Sequence, residues 1–269
     1  MHERDARFAG SIPAIYDELF VPLLFEAPAE DLAKRVAAGN PQAVLEVAAG
    51  TGAVTRALAP RLGPDCRYVV TDLAPPMLER ARSRQPEDTR IAWQQADALA
   101  LPVDDRSFDA VCCQFGVMFF PDRVAGYREA RRVLAPGGRF LFNAWDSIAE
   151  NAFAEAVTHA VAELYPDDPP TFMDRVPHGY HDPDLIRAEV TEAGFGSIAI
   201  DDFEATSTAA TAAEAARAFC QGTPLRNELE ARGAALEAVT AHVAAALARA
   251  FGPGPVSGKM RALVVTAEP

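Results

Sequence analysis

The chain has 269 residues, of which 49 % are hydrophobic and 8 % aromatic, a composition typical of a globular protein with a full core. Its formal net charge is -13, from 38 acidic and 25 basic residues. A field of this sign repels phosphate backbones and anionic lipids, so we expect neither a nucleic-acid partner nor a membrane partner. No stretch approaches the ~18 apolar residues of a membrane span, and the charged first residues do not resemble a signal peptide. We therefore expect a cytoplasmic protein.

The first 40 residues are predicted to be helical, because apolar residues recur at helical spacing from Ile15 to Leu24 and from Leu32 to Ala37. Short apolar runs then alternate with amphipathic segments up to Trp145. The predicted strands are 43–47, 68–71, 91–94, 109–114 and 139–145, and the predicted helices are 54–62, 76–84 and 123–134. Pro136-Gly137-Gly138 is predicted to be the turn between the last of these helices and the last of these strands. The alternation indicates an α/β fold with a doubly wound, mainly parallel sheet.

Two segments interrupt this alternation after Trp145. Residues 146–180 include a Pro- and Asp-rich loop, and residues 205–258 are Ala-rich with an apolar helical stripe from Leu229 to Leu247. That stripe favours packing within the chain, with a dimer contact as the alternative, so we expect a monomer or a homodimer. A helix at 184–193 and strands at 197–201 and 261–266 belong to the core. We thus predict cap segments 1–40, 146–180 and 205–258, and core segments 41–145, 181–204 and 259–269.

The loop after the first strand carries the clearest functional signal. Its sequence, Ala48-Ala49-Gly50-Thr51-Gly52, leads into a helix, so glycines permit a sharp turn beside unpaired N–H groups at the helix N-terminus. A dinucleotide site requires a third glycine three residues further on, where this chain has Thr55. The sequence also contains no phosphate-loop Gly-Lys-Ser/Thr. These absences favour a ligand without phosphates.

Acidic residues follow the next two strands. Asp72 ends the second strand, twenty residues beyond Gly52, and a carboxylate there can accept both hydroxyls of an adenosine ribose. The alternative role is to cap the helix that begins near Pro75, and the two roles are compatible. Asp97 follows the third strand, where it can accept from an adenine amino group.

These motifs together resemble the class I S-adenosylmethionine-dependent methyltransferases, most closely the branch that includes the ubiquinone/menaquinone-biosynthesis methyltransferases. The similarity runs in order through residues 44–52, Asp72, 95–98, 108–111 and 132–138. It implies a Rossmann-like sheet of seven strands with the last strand antiparallel, helical cap insertions, and S-adenosylmethionine as cofactor. Because ligands bind beyond the carboxyl ends of the strands in such sheets, the cap insertions are expected to form a lid over the acceptor.

The resemblance also implies which residues contact the cofactor. Glu46, Ala48, Gly50 and Gly52 would hold the methionine moiety, although the family often has glycine where this chain has Ala48. Asp72 would bind the ribose, and Met77, Asp97 and Ala98 would surround the adenine, with Gln114 near the sulfonium. The predicted contacts further include Thr51, Leu73, Phe115 and Tyr16. For Phe115 the alternative is a core position, and for Tyr16 it is helix packing.

The resulting hypothesis is in-line methyl transfer to a small-molecule acceptor, which requires alignment of the reactants more than chemical assistance. A general base is needed only if the acceptor loses a proton, and the candidates are His178 and His181. Either histidine is alternatively a structural or surface residue, and no Cys or carboxylate pattern joins them, so we expect no metal site. The competing functions are a non-catalytic S-adenosylmethionine-binding regulator, a nicotinamide-dependent oxidoreductase, and a protein or RNA methyltransferase.

Overall fold

The computed structural model describes residues 5, 8 and 10–269. The chain divides into two compact units, each built from segments that are discontinuous in sequence. The first unit comprises residues 1–25, 145–180 and 204–262, and the second comprises residues 26–144, 181–203 and 263–269. The helical region expected over residues 1–40 is shared between them, since its second helix belongs to the second unit. The assignment of cap segments as a lid stays a prediction.

The secondary structure follows the predicted alternation closely. The strands are β1 Ala43–Glu46, β2 Arg67–Asp72, β3 Ile91–Gln95, β4 Phe108–Gln114, β5 Leu134–Trp145, β6 Ser197–Ala209 and β7 Val256–Glu268. The α-helices are α1 Ile12–Ile15, α2 Glu26–Ala37, α3 Ala53–Leu58, α4 Pro75–Arg84, α5 Arg123–Val133, α6 Ala152–Leu164, α7 Phe172–Arg175, α8 Pro183–Glu192, α9 Ala212–Gly222, α10 Leu225–Ala231 and α11 Leu236–Phe251. A π-helix, Tyr16–Phe25, joins α1 to α2.

The seven strands form one sheet in the order β3-β2-β1-β4-β5-β7-β6. The pairs β1–β2, β1–β4, β2–β3 and β4–β5 are parallel, and the last strand is antiparallel. The chain thus winds outward from β1 in both directions, so the carboxyl ends of β1 and β4 meet at the centre of one edge. The predicted Rossmann-like fold with an antiparallel last strand is confirmed.

Apolar burial on both faces of the sheet holds the second unit together. On one face Leu32 and Val36 of α2 and Leu58 of α3 are fully buried in a cluster with residues of β1, β2 and β4. On the other face Tyr127 of α5 stacks on Phe142 of β5, with ring centroids 5.3 Å apart. Burial of side chains of this size contributes roughly 1.5–3 kcal/mol each, so the strands that carry the site are firmly anchored.

The predicted turn at Pro136-Gly137-Gly138 is wrong in one respect. Strand pairing begins before it, because Leu134 already pairs with Phe108, and the register then shifts so that Arg139 pairs with Ala110. The Pro-Gly-Gly sequence therefore forms a bulge within β5, with Gly137 at a φ of 80°. A proline without an N–H and a left-handed glycine fit a bulge as well as a turn.

Helices dominate the first unit. Helix α11 packs against α9 and α6, and Val239, Val243 and Leu247 of the predicted apolar stripe are buried there, as expected for packing within the chain. The π-helix carries Pro22, whose missing N–H is incompatible with a regular α-helical interior. No helix in the described part of the chain is long and apolar enough to cross a membrane.

Candidate cofactor site

The loop after β1 has left-handed backbone at alternate residues. The φ angles are 54° at Ala48, 57° at Gly50 and 81° at Gly52, and α3 begins directly afterwards. Three N–H groups of the loop donate within the protein, from Ala49 to the Thr71 carbonyl, from Gly50 to Asp72 and from Gly52 to the Ala49 carbonyl, so the turn is fixed by its own hydrogen bonds. Glycine adopts this backbone without strain, whereas the left-handed conformation of Ala48 costs about 1 kcal/mol.

Asp72 ties this loop to the end of β2. Its Oδ2 accepts the Gly50 N–H at 2.7 Å and its Oδ1 accepts the Ala74 N–H at 2.8 Å. Burial raises the pKa of the Asp72 carboxyl, and hydrogen bonds from backbone N–H groups oppose the rise. Ala74 is the N-cap residue of α4 and has no side-chain cap of its own. The hydrogen bond from Asp72 therefore stabilises the start of that helix. Each carboxylate oxygen keeps a second lone pair for a ligand hydroxyl.

Three side chains around the loop fit an adenosyl ligand without phosphates. The Thr51 hydroxyl is buried and has no hydrogen-bond partner in the described structure, although buried hydroxyls are normally paired. Leu73 is 57 % exposed directly after Asp72, which is unusual for a large apolar residue and gives an apolar surface beside the carboxylate. Met77 is buried, and its Cε lies 3.7 Å from where a Cβ on Gly50 would stand. The residues present therefore fit S-adenosylmethionine.

The end of β3 lies beside the end of β2. Gln95 pairs in register with Asp72, and its Nε2 donates to the Leu73 carbonyl at 3.0 Å. Asp97 is exposed two residues later, and its Oδ1 accepts the Leu99 N–H at 2.9 Å. The predicted ribose and adenine carboxylates therefore lie at the ends of neighbouring strands, and Ala98 begins the turn that follows Asp97.

Glu46 lies inside the core below the loop. Its Oε2 accepts the Thr55 hydroxyl at 2.7 Å and also the Tyr68 hydroxyl. Complete burial raises the pKa of Glu46 to about 7, although both hydroxyl groups favour the charged form. Thr55, which occupies the third-glycine position of a dinucleotide loop, thus joins α3 to β1. A contact between Glu46 and the methionine moiety stays a prediction.

The end of β4 approaches the loop very closely. A Cβ on Gly116 would stand 2.5 Å from the Cβ of Ala48 and 2.7 Å from the Sγ of Cys113, distances that real Cβ atoms do not adopt. Phe115 is buried, has a φ of 51° and donates its N–H to the Asn143 carbonyl at 3.2 Å. This burial fits the core alternative for Phe115. Gln114 is half-buried at the last position of β4.

The remaining predicted residues have different surroundings. His178, in the first unit, is buried, and its Nδ1 lies 2.8 Å from the Asp146 carbonyl oxygen. Because a carbonyl only accepts, Nδ1 carries the proton, and in the neutral ring Nε2 carries the lone pair. His181, in the second unit, is exposed just before the N-cap of α8. Tyr16 packs on Phe20 and Phe25 with centroids 5.4 and 5.2 Å apart, which fits its helix-packing alternative.

Sequence reasoning missed Tyr68, Gly116 and Asn143. Tyr68 and Asn143 each place a polar group inside an otherwise apolar strand, and that interruption is a usable signal. Gly116 follows β4 without any turn signal, so its close approach to Ala48 is visible only in three dimensions. Within residues 5, 8 and 10–269, no group of three His, Cys, Asp or Glu side chains is arranged to hold a metal ion.

Comparisons with known proteins agree with this geometry. Residues 44–138 match the family model of a methyltransferase domain. The chain is 40 % identical over 129 residues to the demethylmenaquinone methyltransferase of Deinococcus radiodurans, covering 48 % of this chain and 51 % of that protein. It is 39 % identical over 101 residues to the ubiquinone/menaquinone biosynthesis C-methyltransferase of Hahella chejuensis, covering 36 % and 41 %. The matches thus span about half or less of these relatives.

Solved structures share the fold at lower identity. A putative methyltransferase of Bacillus halodurans has a TM-score of 0.57 and 21 % identity, covering 90 % of this chain and 98 % of that one. A phosphoethanolamine N-methyltransferase of Haemonchus contortus, solved in complex with S-adenosyl-L-methionine, has a TM-score of 0.57 and 16 % identity, covering 96 % and 56 %.

The strand order and the left-handed loop define a class I S-adenosylmethionine-binding domain. Residues 44–138 are a methyltransferase domain, and this part of the chain is similar to the class I S-adenosylmethionine-dependent methyltransferases.

We expect Gly116→Ala to destabilise the protein by about 2 kcal/mol, because the added methyl overlaps two packed neighbours. In the Ala48→Gly background the same substitution should cost less, since one of the two neighbours is removed while Cys113 remains. Urea unfolding of both single variants and the double variant measures this coupling. Additive effects would show that Ala48 and Gly116 are not in contact.

Glu46 should make the stability of the protein depend on pH. Because its pKa rises from 4.5 to about 7 on folding, the folded state holds a proton that the unfolded state releases, and stability falls as pH rises between these values. The shift corresponds to roughly 3 kcal/mol. The difference in unfolding free energy between wild type and Glu46→Gln should therefore change between pH 5 and pH 7.5. Glu129→Gln is the control, since the Arg132 side chain lowers the pKa of Glu129. Parallel pH profiles for wild type and Glu46→Gln would contradict the assignment.

Proposed function

We propose that the whole protein is an S-adenosylmethionine-dependent methyltransferase that acts on a small-molecule acceptor. The observation that carries the proposal is the loop of residues 48–52, with its buried Thr51 hydroxyl and the Asp72 carboxylate bound to the Gly50 N–H. A carboxylate at this position suits ribose hydroxyls, and Thr55 in place of a third glycine disfavours a dinucleotide. The net charge of -13 further disfavours an RNA substrate.

The residues of this chain contribute binding and orientation. S-adenosylmethionine, when bound, supplies a methyl group on a positively charged sulfur. Asp72 accepts the ribose hydroxyls, Leu73 and Met77 contact the adenine, and Asp97 accepts from its amino group. The loop holds the methionine moiety, so the methyl group is fixed relative to Gln114 on β4. Alignment of two bound reactants supplies effective molarities of about 10⁵ M or more, which is sufficient for much of the rate enhancement.

His178 is the better of the two candidate bases. Its Nδ1 donates to the Asp146 carbonyl, which fixes the tautomer in which Nε2 accepts a proton. The ring is also held 6.0 Å from the indole of Trp145, measured between centroids. His181 is exposed beside the N-terminus of α8, which supports its surface alternative. We therefore assign proton removal from the acceptor to His178.

The acceptor class is open to direct test. The relatives from Deinococcus and Hahella are named for menaquinone and ubiquinone biosynthesis, and the Haemonchus enzyme for phosphoethanolamine. The panel should thus contain quinols, phenols and amines, with release of S-adenosylhomocysteine as the readout. Binding of S-adenosylmethionine without release of S-adenosylhomocysteine from any member would favour the non-catalytic regulator instead.

Asp72→Ala should weaken S-adenosylmethionine binding about tenfold to a hundredfold, because it removes charge-assisted hydrogen bonds worth roughly 1.5–3 kcal/mol. Asp72→Asn should weaken binding less, since its amide oxygen can still accept the Gly50 N–H. Calorimetry measures the affinity of each variant for S-adenosylmethionine and, separately, for NAD. Asp97→Ala, which removes an exposed carboxylate, is the matched comparison. Unchanged affinity in Asp72→Ala would rule out the ribose assignment, and tight NAD binding would favour an oxidoreductase.

His178→Ala should lower kcat and remove the acidic limb of the pH–rate profile, while the affinity for S-adenosylmethionine stays within twofold of wild type. The physical reason is that Nε2 removes a proton from the acceptor and does not hold the cofactor. His181→Ala is the control and should leave both quantities unchanged. An unaltered profile in His178→Ala, or an effect confined to His181→Ala, would refute the assignment.

A further inference from the structure

We propose that the side-chain amide of Asn143 hydrogen-bonds an oxygen of the methyl acceptor, so that the protein selects acceptors that present a hydroxyl or carbonyl group. The inference rests on the proposed function, because it concerns the second substrate of the same reaction. It adds a specificity-determining residue on β5, a strand that supplies none of the predicted cofactor contacts.

Asn143 is an unexplained polar residue in the core. It is 0 % exposed, and neither its Oδ1 nor its Nδ2 has a hydrogen-bond partner in the described structure. An unsatisfied buried amide costs roughly 1–3 kcal/mol, whereas an apolar side chain of similar size would cost nothing there. Such groups are few in folded proteins, and each requires a structural or functional explanation.

The register places Asn143 at the level of the cofactor loop. Asn143 pairs with Gln114, as Leu141 pairs with Cys112 two residues earlier, and Cys112 pairs with Glu46 on β1. Paired residues of neighbouring strands share a face of the sheet, so Asn143 lies on the same face as Gln114 and Glu46. It is two residues nearer the carboxyl edge than Glu46. The backbone carbonyl of Asn143 accepts the Phe115 N–H. This hydrogen bond fixes the position of Asn143 along β5 relative to the end of β4.

The strand order places Asn143 on the acceptor side of the methyl group. From β3 to β5 the edge carries Asp97, Asp72, the loop of residues 48–52, Gln114 and then Asn143. The adenosine end of the ligand belongs with the first two residues, and the sulfur lies toward Gln114. The next strand is therefore beyond the methyl group, where the acceptor has to approach for in-line transfer.

The chemistry of the amide defines the acceptor class. A neutral amide offers donors and an acceptor together, which matches a hydroxyl or carbonyl oxygen. A protonated amine would need an anion, but residues 110–114 and 140–145 contain no acid. Asp146, directly after β5, is already paired with Arg261, and the Oε2 of Glu46 is already bound to Thr55 and Tyr68. Because the amide is fully covered, a ligand reaches it only when covering residues give way, and its hydrogen bonds then form away from water, where they are stronger.

The test compares Asn143→Leu with the volume-conserving control Leu141→Met on the same face of β5. Three measurements are made: urea unfolding of the protein alone, calorimetry with S-adenosylmethionine, and binding of probes to the protein saturated with S-adenosylhomocysteine. The probes are 1-naphthol and 2-hydroxy-1,4-naphthoquinone, with 1-naphthylmethylammonium as the cationic counterpart. Ligand-dependent melting temperatures give the probe affinities without requiring turnover.

We expect Asn143→Leu to be at least as stable as wild type, to bind S-adenosylmethionine within twofold, and to lose at least tenfold in affinity for an oxygen-bearing probe. The control should keep wild-type probe affinity. Unchanged probe affinity in Asn143→Leu, loss of cofactor affinity instead, preference of wild type for the ammonium probe, or failure of both oxygen probes to bind wild type would each overturn the proposal. If the probes bind as expected but no acceptor leads to release of S-adenosylhomocysteine, the proposed methyl transfer is wrong. The proposed contact of Asn143 is then still supported.

Discussion

The hydrogen bond from the Gly50 N–H to the Asp72 carboxylate is the interaction on which the arrangement of the site depends. It joins the loop after β1 to the tip of β2, and the second carboxylate oxygen extends the connection to the start of α4. The left-handed turns at Gly50 and Gly52 would otherwise be only local features of a mobile loop. With this bond in place, Asp72 and the loop, which we propose contact the ribose and the methionine moiety, are held together.

A second constraint lies one layer deeper, where Glu46 is buried with two hydroxyl partners. A charged carboxylate in such a place is expensive unless it is well bonded, and a neutral one is tolerated more easily. The raised pKa of Glu46 reflects this balance. Its partners come from α3 and β2, so the hydrogen bonds that favour the charged form against burial also join the helix behind the loop to the sheet. Thr55 thereby explains why this chain has no third glycine, since a glycine would leave the carboxyl with one partner fewer.

The sequence predicted the sheet well because its strands are short, apolar and regularly separated by amphipathic helices. It also singled out Asp72 and the loop as candidate contacts, because both stand at strand ends, where ligands bind in open α/β sheets. It could not predict the bulge at Pro136-Gly137-Gly138, because a bulge and a turn use the same residues, nor the full lengths of β6 and β7, whose outer halves have weak patterns. The roles of Gly116 and Asn143 depend on which residue lies across from them on a neighbouring strand, and that information is not local in the sequence.

The packing of Ala48 against Gly116 has a consequence for how this site can diverge. A side chain at position 116 is incompatible with the methyl group of Ala48, whereas a glycine at position 48 is compatible with the backbone and makes more room. Because the Cys113 sulfur also lies 2.7 Å from such a Cβ, substitution at position 48 has to come before any change at position 116 and relieves only one of the two overlaps, and the reverse order passes through a more strongly destabilised intermediate. The accessible evolutionary routes through these two positions are thus directional, although neither residue bears a functional group.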